Sequence, residues 1–179
     1  MHPLSDNPAR PAGASPDRPG ERELIDEADD PTAPSVGVGP HPRPWPDDPR
    51  LDPALLEHGD RRNVIDAYRY WRLDAIVADL DTRRNPLHVA IQNWEHDFNI
   101  GSIVRTANAF NVAAVHIVGR RRWNRRGAMV TDRYLHVHHH DDEAALFAWL
   151  AERGVTPVGV DNLPGSVPLE TAALPADCC

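Results

Sequence analysis

Leu87-His88-Val89-Ala90-Ile91, then Asn99-Ile100-Gly101-Ser102-Ile103-Val104-Arg105-Thr106-Ala107-Asn108-Ala109-Phe110, then Ala113-Ala114-Val115-His116-Ile117-Val118-Gly119 is the stretch that decides the fold. Two short apolar runs flank a segment whose apolar residues recur at helical spacing, so the order reads strand, helix, strand. Strands joined through a helix pair in parallel, and open parallel sheets keep their ligand sites beyond the carboxyl ends of the strands. Asn99, Gly101 and Arg105 gather at that junction. An arginine one turn into such a helix suits an anionic ligand.

Working outward, the first strand spans Leu87 to Asn93, the helix runs from about Gly101 to Phe110, and Asn111 ends it in a left-handed conformation that asparagine tolerates. Val115 to Val118 is the second strand. The loop after it carries five arginines, Arg120, Arg121, Arg122, Arg125 and Arg126, around Trp123. A short helix over Ala128–Tyr134 and a short strand near Leu135–Val137 follow. Asp141 or Asp142 caps a helix to Glu152, with Leu146, Trp149 and Leu150 on its apolar face, and Gly154 stops it. Pro157–Val160 reads as another strand. Leu174 to Asp177 reads as the turn before yet another, of which Cys178 and Cys179 are the start. On the other side, Asn63 caps a helix to about Leu80 with Val64, Tyr68, Trp71, Ala75 and Ile76 at helical spacing. The fold class is therefore α/β, a mainly parallel sheet with flanking helices.

Composition divides the chain further. Residues 1–50 hold 12 of the 18 prolines and few large apolar groups, too little to offset ordering entropy, so they read as a disordered, Pro-rich acidic arm. Residues 51–86 form a helical lead-in, and residues 87–179 form the domain. The net charge is −8, and all 19 basic side chains are arginine. That balance argues weakly against a nucleic-acid partner, although a local patch decides the matter better. The only cysteines, adjacent at 178 and 179, exclude a disulfide framework. No apolar run has transmembrane length and no apolar signal core opens the chain, so a cytoplasmic location is the default.

The residues from Asn99 to Phe110 resemble the first motif of the SpoU (TrmH) branch of the SPOUT RNA ribose 2′-O-methyltransferases, Asn-x-Gly-x-x-x-Arg-Thr-Ala-x-x-Phe-Gly. The chain supplies Asn99, Gly101, Arg105, Thr106, Ala107 and Phe110, with Asn111 where the family has glycine. The stretch Asp161 to Leu169 is similar to the family's loop after its third strand, whereas the family's second and third motifs are absent from the sequence. The resemblance implies the N-terminal part of an α/β-knot domain whose knot-forming C-terminal segment is missing. It also implies transfer of a methyl group from S-adenosylmethionine to a ribose 2′-hydroxyl of tRNA or rRNA, and a homodimer without a membrane anchor. Because the donor motifs are missing, the chain itself is expected to be inactive and to bind the donor weakly or not at all. The alternative is a non-catalytic RNA-binding remnant.

By the same resemblance Arg105 and Asn99 are the catalytic pair. A guanidinium can clamp a phosphate with two parallel hydrogen bonds, but its ordinary pKa above ~12 makes it a poor proton acceptor, so positioning and charge stabilisation are the favoured roles. The alternative for Arg105 is a surface arginine paired with Glu95 or Asp97, and for Asn99 a plain helix cap. Arg120, Arg121, Arg122, Arg125 and Arg126 are candidate RNA contacts, since phosphate contacts dominate affinity and Trp123 can stack on an unpaired base; a solvated charged loop is about equally good. Asn162 and Leu163 are candidate contacts at the rim of the donor site, or simply turn residues. His136, His138, His139 and His140 beside Asp141 and Asp142 fit no structural zinc spacing and read as a solvated strand end; no metal is expected.

Overall fold

The computed structural model describes residues 37–94 and 99–179. Within them, β1 (Asn85–Asn93), β2 (Val112–Gly119) and β3 (Val137–His140) form a parallel sheet in the order β1-β2-β3, with α3 (Ile100–Ala109) linking β1 to β2. The sheet register sets Ala90 against His116 and His116 against His138. Because side chains alternate across a strand, each strand sends one set of residues to either face. On one face Leu87, Val89, Ile91, Val115 and Ile117 meet Ile100, Val104 and Ala107 of α3. On the other, Val118 meets Leu146 and Leu150 of α4 (Glu143–Glu152), with Val155 beside them. The Asp142 carboxylate caps α4 by accepting from the Ala145 amide at 2.8 Å.

The lead-in differs from the single helix that periodicity suggests. It contains α1 (Pro53–His58), a 3-10 turn (Asp66–Tyr68) and α2 (Leu73–Asp81), and no helix starts at Asn63. A buried carboxylate overrides the local pattern. Asp60, fully buried, accepts from the Arg62 amide at 3.0 Å, from its guanidinium at 2.9 and 2.7 Å, and from the Tyr70 amide at 2.9 Å. Meeting those donors takes Tyr70 to a left-handed φ of 64°, which breaks the helix before α2. Burial pushes the Asp60 carboxyl up, but the Arg62 guanidinium and the two amides outweigh it and hold it at about 2.

Residues 37–50, which composition assigns to a disordered arm, are part of this lead-in: Val38 pairs with Asp60 and the His41 amide donates to the Leu56 carbonyl at 2.8 Å. The rest of the expected arm lies outside the described residues. Arg84, with a side chain only 8% exposed, ties the end of α2 to the sheet. Its guanidinium donates to Asp81 (2.6 Å), to the Asn111 side chain (3.1 Å), and to the carbonyls of Val112 (3.3 Å) and Tyr134 (3.0 Å).

Pro157–Val160 is not a full strand. Thr156 makes an isolated parallel bridge to Cys178, whose carbonyl accepts from the His88 amide of β1 at 2.8 Å. The Cys178-Cys179 backbone thus lies between β1 and Thr156–Val158, as a strand there would. The short strand expected at Leu135–Val137 falls slightly later, at β3, and the helix expected over Ala128–Tyr134 is two 3-10 turns, Arg125–Ala128 and Thr131–Tyr134.

That shift corrects the reading of the strand-end histidines as solvated for all but His136, which stays exposed beside Asp81. His116 is fully buried, His140 is buried and His138 half-buried, all packed under Trp149 of α4. Nδ1 of His88 lies 3.0 Å from Nε2 of His116, and Nδ1 of His116 lies 2.9 Å from Nε2 of His140, so three imidazoles bridge the three strands. Burial, joined by the neighbouring His138, His88 and His140 imidazoles and Arg153, pushes His116 down to about 3. Among the described residues, no group of three or more His, Cys, Asp or Glu side chains is arranged to hold a metal. No described helix is long and apolar enough to cross a membrane.

Candidate RNA-binding site

The site grows from one close backbone contact. A Cβ on Gly101, in the first turn of α3, would come within 2.7 Å of the Gly127 Cα, so only glycine lets the loop after β2 lie against the helix. A second anchor holds the loop to the end of β1. The buried Asn93 side chain donates to the carbonyls of Arg120 (2.7 Å) and Arg122 (2.9 Å). Sequence reasoning gives Asn93 no role; its signal is an amide that ends an apolar strand directly after Gln92.

With these anchors, the arginine loop flanks the first turns of α3. Arg105 is exposed, one helical turn after Gly101 and on the same side of α3. Arg120, Arg121, Arg122, Arg125 and Arg126 are all exposed as well. Arg125 lies over the Trp123 ring, 5.5 Å from its centroid, and 3.3 Å from the Asp132 carboxylate. Among the described residues, Arg105 and the other four arginines of the loop have no ion-pair partner; Glu95 and Asp97 lie outside the described residues. Six guanidiniums therefore meet water around one end of the sheet, in a chain that is acidic overall.

Asn99 occupies the N-cap position of α3 but makes no side-chain capping hydrogen bond. Its exposed side chain instead lines a cleft of about 530 Å³ with Ser102, Ile103, Thr106 and Phe110. Asn111 takes a left-handed φ of 47° after α3, where the family pattern has glycine. Its amide donates to the carbonyls of Arg83 (3.2 Å) and Leu80 (3.3 Å), contacts glycine could not make.

A family model described as the SpoU rRNA Methylase family matches residues 86–179. The chain belongs to the SpoU rRNA methylase family. The match starts at the first residues of β1 and leaves the lead-in outside it. A solved structure of an A. aeolicus TrmH/SpoU tRNA modifying enzyme is similar at 21% identity and a TM-score of 0.40, covering 48% of this chain and 46% of that one. The SpoU chain described here thus spans less than half of that relative's length. No curated protein matches it.

Asn162 and Leu163 are not brought to this cleft. They sit in an exposed turn closed by the Ser166 hydroxyl, which accepts from the Leu163 amide (3.2 Å) and donates to the Asp161 carbonyl (3.2 Å). The groove beside Cys179, about 320 Å³, is walled mostly by apolar residues such as Leu146, Phe147 and Pro157. Its polar side chains Gln92 and Glu143 bond each other at 2.6 Å. This groove therefore offers no group matched to the carboxylate of S-adenosylmethionine and does not fit that donor by itself.

Proposed function

We propose that this chain supplies the RNA-gripping half of a ribose 2′-O-methyltransferase acting on tRNA or rRNA. The observation that carries the reading is the exposed Arg105 beside an arginine loop locked to its helix at Gly101 and Gly127. In this reading the Arg105 fork holds the phosphate next to the target ribose, and the uncommitted Asn99 amide is free to take a ribose hydroxyl. Arg120, Arg121, Arg122 and Arg126 contact flanking phosphates, which sets affinity rather than sequence choice. Arg105 acts by position and charge; proton removal falls to another group.

S-adenosylmethionine, a homodimer and a cytoplasmic location come with family membership and are part of the same proposal. The poor fit of Asn162 and Leu163 to a donor favours a second reading for the chain alone, RNA binding without transfer. Fluorescence anisotropy with labelled tRNA and rRNA fragments across a salt series tests the shared core of both. Affinity is expected to fall steeply with salt, and replacing Arg120, Arg121 and Arg122 by alanine is expected to flatten the log–log slope by about 2–3. Absence of salt-dependent RNA binding would refute both readings.

A further inference from the structure

Beside the arginine loop lies a second hollow of about 470 Å³, separate from the cleft at Asn99. Trp123, Arg125, Val130, Asp132, Arg133 and Leu135 line it. Its volume falls within the range of small-molecule sites, about 300–1,000 Å³. Each wall carries a different chemistry. Trp123 provides an aromatic face, Arg125 and Arg133 provide positive charge at the rim, and the Asp132 carboxylate is only 16% exposed. An acceptor held against a basic loop does not serve phosphate binding, since it repels the very groups the arginines attract.

The backbone beside it is strained. Met129 and Val130 both take left-handed conformations, with φ of 48° and 69°, and both side chains are substantially exposed. A β-branched residue at positive φ is a genuine outlier, of a kind that clusters at ligand-binding sites. Here the kink turns the chain between the two 3-10 turns and makes Val130 one wall of the hollow.

We infer that this hollow receives one unpaired nucleobase bearing an exocyclic amino group, which stacks on Trp123 and donates to Asp132. The inference rests on the RNA-binding reading above and adds base selectivity to it. Stacking on tryptophan is tolerant of sequence, because every base has a π-face. A carboxylate is not tolerant: it accepts from the amino group of cytosine or adenine and repels the O4 carbonyl of uracil. Arg125 then has two partners in turn. It holds Asp132 at 3.3 Å in the free protein, and swings to the incoming phosphate when the base amine takes its place.

The test measures binding of the full chain to labelled single-stranded decamers of cytidine, adenosine or uridine by anisotropy. Cytidine and adenosine decamers are expected to bind about tenfold more tightly than uridine. Asp132→Asn is expected to bring that ratio near one, because an amide can both donate and accept, while leaving the salt slope unchanged. Trp123→Leu, which keeps apolar volume against the core, is expected to weaken all three decamers by about fivefold or more with the ratio retained. Equal binding of the three decamers by the wild type, or an unchanged ratio in Asp132→Asn, would overturn the pocket and leave the RNA reading standing. No binding to any RNA would overturn both.

Discussion

Acidification should loosen this fold through the imidazoles under Trp149. His116 is fully buried between His88 and His140, and its pKa in the folded chain is about 3, against 6.5 for an unperturbed side chain. The unfolded chain therefore takes up a proton that the folded chain refuses. Stability is complete above the unfolded value, and it is lost as pH falls towards the folded one. At about 1.36 kcal/mol per pH unit, moving from pH 7.5 to pH 5 costs roughly 2 kcal/mol through His116 alone. His88 and His138, lowered first by burial and then by neighbouring cations, act in the same direction, as does His140. With a urea m-value of about 2 kcal/mol/M, the unfolding midpoint should drop by about 1 M or more. Chemical denaturation at the two pH values reads this directly, and NMR should show the His116 ring unprotonated at pH 5. His116→Gln retains a donor and an acceptor but cannot titrate, so its pH dependence should be smaller by that same roughly 2 kcal/mol. A midpoint unchanged between the two pH values, or a variant with the wild-type slope, would refute the reasoning.

Three other outcomes follow from the geometry. Arg84→Ala strips the partners of two carbonyls and two side chains, and should destabilise the fold by about 3 kcal/mol in urea melts; Arg84→Lys should restore little of it, since an ammonium cannot span all four acceptors. Gly101→Ala forces a Cβ against Gly127, and is expected to cost about 1–3 kcal/mol in urea melts and to weaken RNA binding together. Calorimetry of the 179-residue chain with S-adenosylmethionine should give no micromolar binding, which would be about −8 kcal/mol; such a signal would show that the chain holds the donor after all.

The strand-helix-strand core was legible because its evidence is local. Short apolar runs and helical spacing place β1, α3 and β2 within about three residues, and the pair Asp141–Asp142 announces α4, with Asp142 as its cap. The lead-in was misread because a single long-range group decides it: Asp60 reaches across to Tyr70 and breaks a helix that periodicity alone would continue. Asn93 and Arg84 escaped notice for the same reason, since their partners are carbonyls distant in sequence. The histidine ladder did leave a trace. His138 and His140 stand two apart, the period of one strand face, and His116 is the sole polar residue of an apolar strand. Asn99, Arg105 and the arginines of the loop stand out in the sequence by motif and charge, and the fold leaves all of these side chains exposed. The hollow at Trp123 was not legible, because it depends on two left-handed residues that no composition signals.

The weld between Gly101 and Gly127 has an evolutionary corollary. Two backbones that touch with nothing between them move as one body, so the first turn of α3 inherits whatever pose the basic loop adopts. The four residues from Trp123 to Arg126 hang between that weld and the Asn93 clamp like a cassette. Their identities could drift to suit a new RNA while the helix beneath keeps its aim, and selection would guard two glycines that never meet a substrate.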